Sequence, residues 1–349
     1  KKMIHRPRVA SISTSEKPVL LMNIGVGWSA TTPFAYTLGI QQKYCHTGHL
    51  KENCYLRMLY EQDILNERDA IEHAITDPEK WIYYKWQKEL YEYNYHFLDD
   101  DYLHKWYGEP ITIEKYIDYY LRHWNRIRGD FKAVADFSNH NWAMPFYQKG
   151  KWAKPVMERI REVFDVKVTV QFRDPIRRLY SEIGTNFFDH TSPQINSEAA
   201  DRKRREGASL IEEGKHNEFF RFCFLYGVEG SANCRYVELY KKWEELVGKD
   251  NILPIIMEDF WNPEKKQQQC ERLSNFLDYP ITDIHRNAYV PDMGSNAPQY
   301  IGLIDQWTSD KEDITRFSIK YALNYMRVYY NEWKHKFGSV PESWVNYES

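Results

Sequence analysis

Two short segments of this sequence combine residue types that hold anions. The first is Gly25-Val26-Gly27-Trp28-Ser29-Ala30-Thr31-Thr32, directly after the apolar run from Val19 to Ile24. Glycines at 25 and 27 let backbone approach a ligand closely, and a strand turning into a helix there would aim several N–H groups and the positive helix end at one point, which suits a phosphate. Ser29, Thr31 and Thr32 add hydroxyl donors. The second segment is Arg173-Asp174-Pro175-Ile176-Arg177-Arg178-Leu179-Tyr180-Ser181. A proline turning the chain out of a strand would let Arg173, by a fork of charge-assisted hydrogen bonds, and Ser181, from the following helix, converge on a second anion. The plain alternatives are an ordinary strand-to-helix turn and an Arg173 paired with a neighbouring carboxylate.

The elements that must position these segments are legible as apolar runs. Besides Val19 to Ile24, buried strands are expected at Ala133 to Ala135, along Val166, Val168, Val170 and Phe172, and from Ile252 to Met257. Helical spacing between them gives an α/β fold: a P-loop-type parallel sheet flanked by helices in three layers, α/β/α, with helical insertions. Ile113, Tyr116, Ile117, Tyr120, Leu121, Trp124 and Ile127 share one helical face. A second helix is expected from Thr76-Asp77-Pro78-Glu79, an N-cap, first-turn proline and capping-box glutamate. The aromatic residues Tyr83, Trp86, Tyr91, Tyr93 and Tyr95 around it suit either helix packing or sugar stacking. Residues 1–17 read as a flexible leader and 18–349 as one domain, with a helical insertion at about 57–131.

Composition narrows the partners. A formal charge of −3 argues against a nucleic-acid partner, so anion binding must come from local clusters. No apolar run approaches the roughly 18 residues of a transmembrane helix, so a soluble protein is expected, with the cytoplasm favoured and a lumenal or secreted fragment as the alternative. The five cysteines, Cys45, Cys54, Cys223, Cys234 and Cys270, show no CxxC and no zinc-binding spacing, so no metal is expected. Cys223 and Cys234 could pair in an oxidising compartment, although reduced, partly buried thiols are the commoner state. Nothing in the sequence fixes the oligomeric state.

Read against the nucleotide-triphosphatase pattern G-x-x-x-x-G-K-[ST], Gly25 fits, but Ala30 and Thr31 replace the second glycine and the lysine. A β,γ-phosphate clamp is therefore missing. The two segments together resemble the sulfotransferase family, whose 5′-phosphosulfate loop reads roughly G-x-x-[KR]-[SG]-G-T-[ST] and whose 3′-phosphate motif reads R-[DN]-P-x-x-R-x-x-S. The second motif fits at every fixed position. The resemblance extends through Lys51-Glu52, Ala135-Asp136-Phe137-Ser138, Tyr236, Leu239, Trp243, Glu258-Asp259-Phe260 and Phe276-Leu277, about residues 18–300, and is closest to carbohydrate-type members.

The resemblance implies a donor, 3′-phosphoadenosine 5′-phosphosulfate (PAPS), with its 5′ end on residues 25–32 and its 3′-phosphate on Arg173 and Ser181, under a loop at Gly294. The product is adenosine 3′,5′-bisphosphate (PAP). The acceptor is a small molecule or glycan hydroxyl or amine, with Asp136, Ser138 and His140 at its site. Transfer needs alignment, charge stabilisation and a base. Glu52 is the candidate base, beside Lys51, with His49 the better of the two histidine alternatives and His46 the other. The basic run Arg202-Lys203-Arg204-Arg205 suits either an anionic acceptor or a solvated helix face.

Two departures bear on turnover. Trp28 stands where the family carries lysine or arginine, and Phe137 where carbohydrate members carry a second lysine. Loss of one such contact costs about 3 to 4 kcal/mol of transition-state stabilisation unless another cation, such as Lys51 or Arg177, reaches in. Arg286 is the corresponding candidate near Gly294. The alternatives are a PAP- or PAPS-binding relative that is catalytically weak or silent and, third, a P-loop kinase or NTPase.

Overall fold

The protein is described here by a computed structural model. It describes residues 17–25, 31–48, 54–60, 110–175, 178, 205–206, 209–210, 212–215, 218, 235–284 and 326–344, with the side chains of 31–33 excepted.

Five parallel strands form one sheet: β1 (Val19–Gly25), β2 (Cys45–His46), β3 (Ala133–Asp136), β4 (Asp165–Phe172) and β5 (Ile252–Ile256), in the spatial order β2-β3-β1-β4-β5. The helices between them are α1 (Thr31–Tyr36), α2 (Tyr55–Tyr60), α3 (Ile113–Ile127), α4 (Ala153–Val163), α5 (Tyr236–Val247), α6 (Met257–Trp261) and α7 (Pro263–Leu277). A further helical stretch runs over 326–337. Parallel strands need such crossovers, and the crossovers cover both faces of the sheet.

Side chains therefore bury on both sides, in two clusters. Leu20, Met22, Ile24, Val134, Val166, Val168, Val170 and Phe172 pack with α2 to α5 and with Tyr330 and Trp333. Leu21, Ala133, Ala135 and Ile255 pack on the other face with Phe34, Leu38, Met257, Phe260, Leu273 and Leu277. This is the three-layer α/β arrangement the apolar runs led one to expect. Thr169 and Gln171, the intervening residues of β4, are also wholly buried, because a central parallel strand has no wet face.

Three local features refine the expectations. β2 is only two residues long, too short to stand out as an apolar run. The helix that α1 opens widens at its end, continuing over Thr37–Gln41 as a π-helix. On α3 the buried side includes Tyr119 and His123 as well as Tyr116, Ile117, Tyr120 and Ile127, while Thr112 caps its first turn by accepting from the N–H of Lys115 at 3.3 Å.

Cys45, Cys54 and Cys270 are buried and form no disulfide, and burial pushes the Cys45 thiol far above its ordinary range. Cys223 and Cys234, the helix expected from Thr76 with its aromatic residues, and the basic run at 202–204 lie outside the described residues, with exposed Arg205 at its edge.

Candidate functional site

In an open parallel sheet, ligands bind beyond the carboxyl ends of the strands, where neighbouring strands send their connections in opposite directions. Here β1 connects toward β2 at one edge and β4 toward β5 at the other, and β1 and β4 are neighbours. The switch point lies between them. Gly25 is the register partner of Gln171, so Arg173 follows two residues beyond that pair on a strand about 4.8 Å away. Gly25 and the segment that begins at Arg173 thus leave the sheet at one crevice. Gly25 is the last residue of β1, and Thr31 and Thr32 open α1. Val26, Gly27, Trp28, Ser29 and Ala30 lie outside the described residues, as do Arg177, Ser181, Arg286 and Gly294.

Beneath the crevice the two strands are tied by side chains. Asn23 donates its amide to Gln171 Oε1 at 3.0 Å, Thr169 donates its hydroxyl to Asn23 Oδ1 at 2.8 Å, and Gln171 donates to Met257 Sδ at 3.1 Å. All three polar residues are wholly buried, where satisfied hydrogen bonds fix one arrangement.

The turn after β4 is held from three directions. The N–H of Asp174 donates to Glu258 Oε1 at 2.9 Å, Tyr236 of α5 donates its hydroxyl to the carbonyl of Arg173 at 2.8 Å, and Tyr330 donates to Asp174 Oδ1 at 2.9 Å. Pro175 then opens the next turn, where a missing N–H costs nothing, and the N–H of Arg178 donates to the Asp174 carbonyl at 2.8 Å. Arg178 is wholly buried, whereas the Arg173 side chain keeps 23% of its surface exposed. Its Nε lies 3.9 Å from Glu258 Oε1. Burial pushes Glu258 above the ordinary carboxylate range, opposed by the N–H of Asp174, its own backbone and Arg173, and reinforced by the charge of Asp174.

On the other side of β1 lie β3 and β2, in that order. Asp136 accepts from the Tyr116 hydroxyl at 2.8 Å and from the N–H of Ser138 at 2.9 Å, and burial together with that carboxylate pushes the Tyr116 phenol up. Ser138 Oγ in turn accepts from the N–H of Cys54 at 3.1 Å. Asp136 and Ser138, expected at the acceptor, are therefore wholly buried and hydrogen-bonded to protein. His140 is half-buried against Arg57, with Nδ1 2.9 Å from Nη1.

His46 accepts at Nδ1 from the N–H of Gly48 at 3.2 Å and faces His123 Nε2 at 2.7 Å. Since His46 Nδ1 is the acceptor, His123 donates through Nε2. Burial first, and Arg126 second, push His123 down to about 3. His46 is wholly buried. His49, Lys51 and Glu52 lie outside the described residues, in the segment between Gly48 and Cys54.

Sequence reading missed the buried network of Asn23, Thr169 and Gln171, the role of His123 and the clamp at Glu258. The one available signal was polar residues in otherwise apolar strands. Phe137, noted as a departure, is wholly buried against Phe34 at a ring distance of 6.2 Å. Among the described residues no group of three metal-ligating side chains occurs, and no helix is long and apolar enough to cross a membrane.

Comparison with solved structures finds the chain similar to a sulfotransferase from Alicyclobacillus acidocaldarius, at TM-score 0.41 and 14% identity, covering 93% of this chain and 97% of that one. It is also similar to the sulfotransferase domain of the Synechococcus PCC 7002 olefin synthase, at TM-score 0.37 and 14% identity over 89% and 97%. No family model and no curated protein matches the sequence. At these scores the likeness by itself carries no assignment.

Proposed function

We propose that this chain is a sulfotransferase that moves the sulfuryl group of PAPS onto a hydroxyl or amine, with a carbohydrate the favoured acceptor. The observation that carries the reading is the emergence of Gly25 and Arg173 side by side at the switch point of the sheet. One bisphosphorylated nucleotide bridges them: its 5′ end on the P-loop-type turn of Gly25, Val26, Gly27, Trp28, Ser29, Ala30, Thr31 and Thr32, its 3′-phosphate on Arg173 and Ser181, with Gly294 closing over it. Arg173 suits that task because a partly exposed guanidinium, with its backbone clamped, offers a preorganised fork.

In the transfer, the acceptor oxygen or nitrogen forms a bond to sulfur as the bond between sulfur and the 5′-phosphate oxygen breaks. The acceptor proton passes to Glu52, and PAP leaves with the electron pair, its charge steadied by backbone donors and by Lys51. His49 is the alternative base. His140, beside Arg57, is the acceptor contact, whereas Asp136 and Ser138 act by fixing Cys54, where the segment carrying Lys51 and Glu52 ends.

Phe137 favours a second reading. A buried phenyl ring stands where a catalytic cation is expected, which suits a relative that binds donor and turns over weakly. Calorimetry tests the shared part: PAP binds well ahead of ADP, and Arg173→Ala erases the preference, whereas equal affinities for PAP and ADP overturn the donor assignment. Transfer of radiolabelled sulfuryl from PAPS to a panel of glycans, phenols and amines, with Glu52→Gln as control, then separates the enzyme from the silent relative. Full activity in Glu52→Gln removes Glu52 from the role of base.

A further inference from the structure

Glu258 is the second residue of α6, which follows β5 directly, one strand beyond the crevice, and its side chain returns to the turn that carries Arg173. That side chain is 5% exposed. One oxygen, Oε1, accepts from the N–H of Asp174 at 2.9 Å and lies 3.9 Å from Arg173 Nε. The other, Oε2, is buried without a hydrogen-bond partner. A carboxylate held this way is a poor source of fold stability, because burial of charge with an oxygen unsatisfied costs several kcal/mol in general.

Its geometry suits a different task. The peptide between Arg173 and Asp174 is gripped at both polar atoms, its carbonyl by the Tyr236 hydroxyl at 2.8 Å and its N–H by Glu258. A peptide plane held at both polar atoms, with β4 holding the chain before it, restricts the direction in which Cα of Arg173 projects its side chain. At 3.9 Å the carboxylate attracts the guanidinium at a separation too long for a hydrogen bond, so this contact biases the fork without occupying a donor.

We propose that Glu258 is a positioning residue for Arg173: with Tyr236 it locks the Arg173–Asp174 peptide so that the guanidinium meets a phosphate monoester at the carboxyl end of β4. The assignment rests on the donor reading, in which that monoester is the 3′-phosphate. Glu258 itself does not touch the nucleotide.

The test compares two ligands by calorimetry: PAP, which carries the 3′-phosphate, and adenosine 5′-phosphosulfate, which lacks it. Glu258→Ala lowers PAP affinity about 10-fold and leaves adenosine 5′-phosphosulfate within about twofold, a tenfold change corresponding to about 1.4 kcal/mol. Glu258→Gln, which keeps an acceptor for the Asp174 N–H, restores PAP affinity to within about threefold. Tyr236→Phe, which stands in where Glu258→Ala fails to fold, lowers PAP affinity alone by about threefold. A wild-type protein that binds PAP no better than ADP overturns the donor reading and this assignment with it. A wild-type preference that Arg173→Ala abolishes, while Glu258→Ala and Tyr236→Phe leave it intact or weaken both ligands equally, overturns this assignment alone.

Discussion

Gly25 and Gln171 are register partners on adjacent parallel strands, which puts the end of β1 about one strand spacing from the strand that leads into Arg173. The two segments lie far apart in sequence, and the long-range pairing of β1 with β4 brings their starting points together. In the proposed role, Arg173, two residues past Gln171, acts through shape as much as charge. Lysine keeps the charge and loses the planar fork, so Arg173→Lys should weaken PAP binding about 10-fold and Arg173→Ala about 100-fold, within the range of charge-assisted hydrogen bonds. Calorimetry at fixed ionic strength measures both. Equal losses would show that charge alone matters.

Asn23 joins β1 to β4 with both ends of its amide used, donating to Gln171 and accepting from Thr169. Truncation leaves two buried groups without their partner at once. Asn23→Ala should therefore cost about 2 to 6 kcal/mol in urea unfolding, from about 1 to 3 kcal/mol for each unsatisfied group. In a cycle with Gln171→Ala, the double variant should be less damaged than the sum of the singles by more than about 0.5 kcal/mol. Additive losses would mean the network does not act as a unit.

Four strands were legible: residues 19–24, 133–135 and 252–257 as the largely apolar runs that strands buried on both faces give, and 166–172 through the alternation of Val166, Val168, Val170 and Phe172. The places of Gly25 and Arg173 at or just past strand ends were legible because glycine and an Arg-Asp-Pro run interrupt the apolar pattern there. Asn23, Thr169, Gln171 and Glu258 were not. Their significance lies in pairings across 84 to 148 residues of sequence, and the polar type alone does not say which partner satisfies it. His123 was hidden for a similar reason: on α3 it lies outside the apolar stripe by type, yet β2 supplies an imidazole at hydrogen-bond distance that makes it a core residue. His46 was read as a base candidate from its neighbours in sequence, whereas its burial and its two donors assign it to holding the chain.

Gly48 occupies positive φ, at 77°, and a Cβ built there would overlap the Tyr119 hydroxyl. Both the backbone and the space demand glycine. Gly48→Ala should lose about 1 to 2 kcal/mol for the left-handed conformation and about 1 to 3 kcal/mol more for overpacking. Because Gly48 leads into the segment that carries Lys51 and Glu52, sulfuryl transfer should fall further than PAP binding does. A variant that melts like the wild type would remove the steric argument. Trimming the neighbour with Tyr119→Phe should recover part of the second loss and none of the first.

His123 is buried and neutral at physiological pH, donating through Nε2 to His46 while its Nδ1 has no hydrogen-bond partner. Burial, and then Arg126, depress it to about 3, against about 6.5 for the unfolded chain. Between those values the unfolded state binds the extra proton. Stability from this group is therefore complete above about pH 6.5 and declines as pH falls toward the folded value, by about 1 to 2 kcal/mol at pH 5. His123→Gln keeps a donor for His46 but cannot take up a proton in this range. Urea unfolding at pH 7 and pH 5 should show the wild type losing about 1 to 2 kcal/mol more than the variant on acidification. The two curves should not be separated further above pH 7, where both side chains are neutral in folded and unfolded states alike. Parallel losses from pH 7 to pH 5 would place the acid sensitivity on other groups and would mean that His123 reaches water or a proton acceptor before the fold opens.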